Sequence, residues 1–305
     1  MLNKILTVTA NPAVDVAYFV NDFKMGEVHR PIRTVMTAGG KGLNVARVAV
    51  TLGEKVTAMG FVGGANGEFI KKEAERLSIS CAFTEIQGET RRNTDMIDAE
   101  GRVGEILEAG PEITSEEERA FIDAFSREVE LHDIICISGS LPRGLGAEFY
   151  CHLVSIARSR GKRVIVDTSG PALERVMSKH PFMIKPNSDE MACLFGIDPK
   201  ISLVRMAEVG VEMPFVTLGG DGAMLLEGDR FYKYSIPWLQ VKNTVGSGDS
   251  TVGGIAAGLS RGMPIRDAVR LGMAAGMANT QFEETGTVTA ELVEKFYHRV
   301  EIYEI

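Results

Sequence analysis

Short β-branched and apolar runs alternate with stretches of helical periodicity along most of the chain. The strand-like runs are Ile5–Thr9, Val56–Phe61, Ile134–Ser138, Arg163–Asp167, Phe182–Ile184 and Pro214–Leu218. Between them, Leu43–Leu52, Gly67–Leu77, Glu116–Leu131, Glu148–Ser159 and Asp189–Phe195 carry helical spacing. Such alternation predicts a doubly wound α/β fold, a mostly parallel sheet with helices on both faces. The runs are apolar at nearly every position, as suits strands covered on both sides. Beyond residue 245 the pattern turns helical only, with helices expected over Ser247–Arg261, Ile265–Phe282 and Ala290–Ile302 and a turn at Gly262-Met263-Pro264.

Two regions break the alternation. Residues 13–37 hold the strand-like runs Val14–Val20 and Ile32–Met36 with no helix between them, and residues 81–108 repeat the theme with Thr94–Asp98 and Val103–Leu107. These insertions are expected to assemble into a small β-sheet lid, too small to stand without packing on the main body or on another subunit. With no linker or repeat in view, residues 1–305 are read as a single domain carrying those two lid insertions.

Composition narrows the function classes. The 305 residues are 45% hydrophobic and 24% charged, the balance of a globular enzyme. A net charge of −8 argues against nucleic-acid partners, which call for a basic face. Cys81, Cys136, Cys151 and Cys193 form no C-x-x-C pair and are expected as free thiols. Neither a signal-peptide pattern at Met1–Thr9 nor a membrane-length apolar run is found, so a cytoplasmic protein without membrane partners is expected.

Three glycine clusters carry candidate chemistry. Asn243-Thr244-Val245-Gly246-Ser247-Gly248-Asp249-Ser250 runs directly into an Ala/Gly-rich helix. Glycines there let backbone N–H groups converge at the positive end of a helix, which makes an anion site. A carboxylate inside an anion site makes sense if it takes a proton from a hydroxyl attacking that anion. Equally, Asp249 can simply complement the helix dipole. Ala38-Gly39-Gly40-Lys41-Gly42-Leu43-Asn44 opens a second helix and has neither P-loop nor dinucleotide spacing. Thr217-Leu218-Gly219-Gly220-Asp221-Gly222 reads either as a tight hairpin turn or as a wrap around nucleotide phosphate.

Taken in order, Asn11-Pro12-Ala13-Val14-Asp15, Gly39-Gly40-Lys41-Gly42-x-Asn44, Lys185-Pro186-Asn187-x-x-Glu190 and Gly246-Ser247-Gly248-Asp249 resemble the ribokinase-like, or PfkB, family of carbohydrate kinases over the whole chain. The Asn-Pro-Ala-x-Asp and Gly-Gly-Lys-Gly segments resemble the branch of 1-phosphofructokinase, tagatose-6-phosphate kinase and minor-type 6-phosphofructokinase. The resemblance implies ATP-dependent phosphorylation of a ketohexose phosphate with Mg²⁺, with fructose 1-phosphate placed slightly ahead of tagatose 6-phosphate. It assigns Asp249 as catalytic base and Gly246, Ser247 and Gly248 as the anion hole. Asp15, Gly39, Gly40 and Asn44 are placed on the sugar hydroxyls, with Ser138 beside them. Lys185, Asn187, Thr217, Gly219, Gly222, Gly248 and Asn279 fall to ATP, with Gly258 beside Asn279 as a further neighbour of adenine. Glu190 and Asn187 are placed near Mg²⁺, through water. Arg91, Arg30, Lys41, Arg92 and Arg143 are candidates for the substrate phosphate, since a planar guanidinium can donate two parallel hydrogen bonds.

Asn243 stands where many relatives carry Asp, and Ser247 where Ala is common; neither change touches the base or a backbone N–H. A kinase of another substrate class, such as a nucleoside kinase, fits less well because of the arginines near the lid. A non-catalytic sugar-phosphate sensor is the more distant alternative, against which the intact Asp249, Asn187 and Glu190 count. A homodimer formed through the lid is the expected assembly.

Overall fold

The computed structural model describes residues 4–305. The chain begins with β1 (Ile5–Thr9), β2 (Ala13–Phe19), β3 (Arg33–Gly39), α1 (Lys41–Thr51), β4 (Val56–Val62) and α2 (Gly64–Arg76). Short β5 (Ser80–Cys81) and β6 (Thr84–Glu85) lead to β7 (Arg91–Ile97), β8 (Val103–Leu107) and α3 (Ser115–Glu130). Next come β9 (Ile134–Ser138), α4 (Glu148–Ser159), β10 (Arg163–Asp167), α5 (Gly170–Met177), β11 (Met183–Ile184), α6 (Ser188–Phe195) and α7 (Pro199–Glu208). The remainder is β12 (Phe215–Thr217), β13 (Ala223–Glu227), β14 (Arg230–Ser235), α8 (Ser247–Ser260), α9 (Ile265–Asn279), α10 (Ala290–Tyr297) and β15 (Glu301–Glu304).

The central sheet runs β11-β10-β9-β1-β4-β5, with β6 also on β4, and every pair is parallel. β1 is buried at all its positions, Thr7 and Thr9 included, as expected of a strand covered on both faces. Its residues alternate between two cores. Ile5 joins α1, α8, α9 and α10 on one side, whereas Leu6 and Val8 join α3, α4 and α5 on the other. The result is the doubly wound, three-layer arrangement expected from the strand–helix alternation.

The chain leaves β1 for β4 on one side of the sheet and later returns to β9 on the other. That reversal opens a crevice at the carboxyl ends of β1 and β9, where doubly wound sheets take their ligands.

The irregular regions build a separate sheet in the order β3-β2-β7-β8. It is mixed: β2 pairs antiparallel with β3 and parallel with β7, while β7 and β8 form a hairpin. Its edge strand β8 leaves Val103, Ile106 and Leu107 exposed.

The carboxyl-terminal region departs from the helix-only expectation. The helix expected over Ala290–Ile302 ends at Tyr297, and Glu301–Glu304 adds an edge strand to an antiparallel sheet β12-β13-β14-β15. In Glu301-Ile302-Tyr303-Glu304 each apolar residue lies beside a charged one, so the segment fits the half-exposed edge of a sheet better than a buried helix face. The four cysteines are free. Among the described residues, no helix is long and apolar enough to cross a membrane.

Candidate active site

A cleft of about 1050 Å³ opens at the carboxyl ends of β1, β9 and β10, beneath the mixed sheet. Its floor is the start of α8. Gly246 caps that helix at φ 79°, a left-handed conformation that glycine adopts without strain. The Ser247 N–H turns back to Thr244 O at 3.2 Å, while the N–H groups of Gly246 and Gly248 have no acceptor among the described residues. Those free donors, at the positive end of a fourteen-residue helix, suit a phosphoryl oxygen.

Asp249 lies buried in the same turn and accepts the Nδ2–H of Asn44 at 2.8 Å. Burial pushes its carboxyl up to about 6, and the Asp167 charge adds to the rise. Lys41, the Asn44 hydrogen bond and Lys185 pull the other way. The balance leaves a carboxylate that is ionised at neutral pH yet a better proton acceptor than an exposed aspartate.

Asp167, at the end of β10, joins the two lysines. Its Oδ1 stands 3.3 Å from Lys41 Nζ and its Oδ2 3.5 Å from Lys185 Nζ. The sequence offered Asp167 only as the last residue of a strand. A carboxylate at the carboxyl end of a buried parallel strand is the signal that could have found it.

The mixed sheet supplies the other wall. Asp15 on β2 accepts the Nδ2–H of Asn93 on β7 at 2.8 Å. Burial pushes Asp15 to about 6, with the Asn93 hydrogen bond opposing the rise. Gly39 makes this placement feasible, because a Cβ there would stand 1.8 Å from Asp15 Oδ2. Gly40, Lys41, Asn44 and Arg91 line the same end of the cleft. Arg91 is already engaged, donating from Nε and Nη2 to Asn11 O and from Nη1 to Glu108 O. With five N–H donors on a guanidinium, two remain for a ligand.

At the far end the cleft is lined by Lys185, Asn187, Thr217, Gly219 and Gly222. The Thr217–Gly222 segment meets the first of its two sequence readings, the tight turn. It is the turn of the β12–β13 hairpin, tightened by one 3₁₀ turn at Gly219–Asp221, and it faces the cleft. Trp238, the only tryptophan, forms part of the apolar rim here, a role with no motif to announce it.

Other expected site residues stand elsewhere. Arg30 is exposed in the β2–β3 connection and does not line the cleft. Ser138 is buried just beneath it, and Gly139 and Ser140 form the surface instead. Asn279 also stops short of the cleft: it holds the glycine turn from behind, donating to Val245 O at 2.9 Å and accepting from Gly286 N at 2.8 Å. Gly258 packs against Ala268 of α9. Arg92 donates to Asn66 Oδ1, and Arg143 to Gly110 O. Asn187 and Glu190 form a reciprocal capping box at the start of α6, with bonds of 2.8 and 2.9 Å, and of the two only Asn187 lines the cleft.

The profile described as pfkB family carbohydrate kinase matches residues 6–291, nearly the whole length of this architecture. The chain belongs to the PfkB family. Among PfkB relatives, the tagatose-6-phosphate kinase of Staphylococcus epidermidis is 38% identical, over 99% of this chain and 100% of that protein. The structure of Escherichia coli phosphofructokinase-2 with potassium superposes at a TM-score of 0.91 with 29% identity, covering 97% and 98% of the two chains. A Thermotoga maritima protein described as a possible 1-phosphofructokinase superposes at 0.89 with 26% identity, covering 99% of each. This PfkB protein is accordingly a sugar-phosphate kinase with ATP as co-substrate.

Proposed function

We propose that this kinase transfers the γ-phosphoryl group of ATP to a hydroxyl of a ketohexose monophosphate, with Asp249 as the general base. The observation that carries the reading is a buried, hydrogen-bonded carboxylate set among free N–H donors at a helix start. The acceptor hydroxyl passes its proton to Asp249 as its oxygen bonds to the γ-phosphorus. The bond from that phosphorus to the bridging oxygen breaks and ADP leaves. The N–H groups of Gly246 and Gly248 stabilise charge on the transferring group, and Lys185 and Lys41 stand beside its path. Asp15, Asn93 and Asn44 hold sugar hydroxyls, and Arg91 and Lys41 meet the substrate's own phosphate.

Hard oxygen donors at Asn187 and Glu190, beside Lys185, fit a Mg²⁺ ion that keeps most of its water. When bound, the ion neutralises charge on the triphosphate. The chain's own contribution there is to orient that edge of the cleft through the capping box.

Tagatose 6-phosphate is the favoured acceptor. The 38% identity to a tagatose-6-phosphate kinase supports it over fructose 1-phosphate, the choice that the motifs placed first. The assembly we propose is a homodimer joined through the mixed sheet, whose β8 edge exposes Val103, Ile106 and Leu107. A coupled ADP assay with Mg·ATP and each of tagatose 6-phosphate, fructose 1-phosphate and fructose 6-phosphate tests the reaction. The highest kcat/KM is expected with tagatose 6-phosphate. A higher value with either fructose phosphate would overturn that order, and no turnover with any would return the sensor reading.

A further inference from the structure

Arg47 lies one helical turn beyond Asn44 on α1, and no motif drew it into the site. Its guanidinium donates from Nη1 to Asn44 Oδ1 at 3.2 Å and to Thr285 O at 2.8 Å, and from Nη2 to Ala38 O at 2.6 Å. One side chain thus grips the end of β3, the loop before α10, and the amide that touches Asp249.

The chemistry of the two partners makes this more than a brace. A guanidinium only donates hydrogen bonds, whereas an amide has a donating and an accepting end. Arg47 therefore selects the oxygen of Asn44, which leaves the NH₂ group for Asp249 Oδ2. With the amide turned over, its oxygen would oppose the carboxylate, and two acceptors can share that contact only if Asp249 is protonated.

We propose that Arg47 is a positioning residue for catalysis, locking the Asn44 amide so that Asp249 stays a proton acceptor at neutral pH. The inference rests on reading Asp249 as the base. The charged groups facing Asp249 are Asp167, Lys41, Lys185 and, beyond the Asn44 amide, Arg47. Arg47 itself faces Asp15, Glu73, Arg76 and Asp249.

The test is the pH dependence of kcat at saturating substrates. Arg47→Met should move the midpoint of the acid limb up by roughly one pH unit or more, the effect of one lost charge-assisted hydrogen bond. Arg47→Lys, still only a donor, should keep the midpoint near that of the native enzyme. In an Asn44→Ala background, measured at high enzyme concentration, Arg47→Met should shift the midpoint by less than half as much, because the amide it orients is gone.

An Arg47→Met variant that loses activity equally at every pH would reduce Arg47 to a structural brace. An equal shift with and without Asn44 would attribute the effect to charge alone. Either result overturns the proposal. Should Arg47→Met not fold, Arg47→Gln, which can turn an oxygen toward Asn44, is expected to show the same upward shift and is judged by the same outcomes. Turnover that survives Asp249→Asn would instead remove the base reading, on which the proposal depends.

Discussion

Asn44 donates to Asp249 at 2.8 Å across 205 residues of chain, joining the start of α1 to the start of α8. The bond does two things at once. It favours the ionised carboxylate against the burial that opposes it, and it ties together the parts of the cleft lining that α1 and α8 supply.

Turnover should follow the ionisation of Asp249. Since its carboxyl titrates at about 6, kcat is expected to fall as pH drops through that value. Asp249→Asn should lower kcat by roughly 10²–10⁴ across the whole range while Mg·ATP binding persists. Rate profiles and nucleotide calorimetry on both proteins provide the check. A variant keeping more than about a third of the native kcat would rule out the base.

The same ionisation costs stability, with a definite sign. In the folded state Asp249 holds its proton up to about pH 6, against 3.8 for an ordinary aspartate. Between those values the native state binds more protons than the unfolded chain, so this group's contribution to stability declines as pH rises through that window. Asp249→Asn, similar in shape and uncharged, is therefore expected to raise Tm at pH 8, with the gain shrinking toward pH 4. Thermal melts at the two pH values decide it; a gain that grew toward pH 4 would contradict the assignment.

Arg91 should serve the phosphate of the sugar rather than that of ATP. Arg91→Ala is expected to raise KM for the sugar phosphate roughly ten- to a hundred-fold, the effect of a lost charge-assisted hydrogen bond, with little change in KM for ATP. The Asn11 and Glu108 carbonyls also lose their donor in this variant. Equal effects on both substrates would therefore point to a purely structural arginine.

The parts of this site that could be read from the sequence are those whose residues adjoin one another. Gly246 to Asp249 show both the turn and the carboxylate in one stretch, and Asn187 to Glu190 spell out a helix cap. Asp167 escaped notice because its role depends on Lys41, 126 residues away, and on Lys185, brought alongside by the neighbouring strand. Arg47 escaped for a related reason: its three acceptors lie on three separate segments. Asn279 is the opposite case: the family resemblance implied contact with the nucleotide, whereas its side chain buttresses the glycine turn. β15 was masked by the strong helical period just before it.

Glu190→Gln offers a test confined to the metal. Glutamine can still accept the Asn187 N–H through its side-chain oxygen, so the cap should survive. Half-maximal turnover is expected to require much higher Mg²⁺, with sugar-phosphate binding in the absence of nucleotide unchanged. Overlapping Mg²⁺ titration curves for the two proteins would remove Glu190 from the site.

The close packing of α1 against α8 also bears on how the chain is made. A Cβ on Gly253 would stand 2.8 Å from Val48, so α8 covers the inner face of α1 with no room between. During synthesis, α1 leaves the ribosome some two hundred residues before its cover does, as the interval between Asn44 and Asp249 measures. Throughout that interval Val45 and Val48 lack the surface that buries them. Nascent chains stalled before α8 should therefore expose this apolar stripe and be the forms most prone to aggregate or to occupy a chaperone.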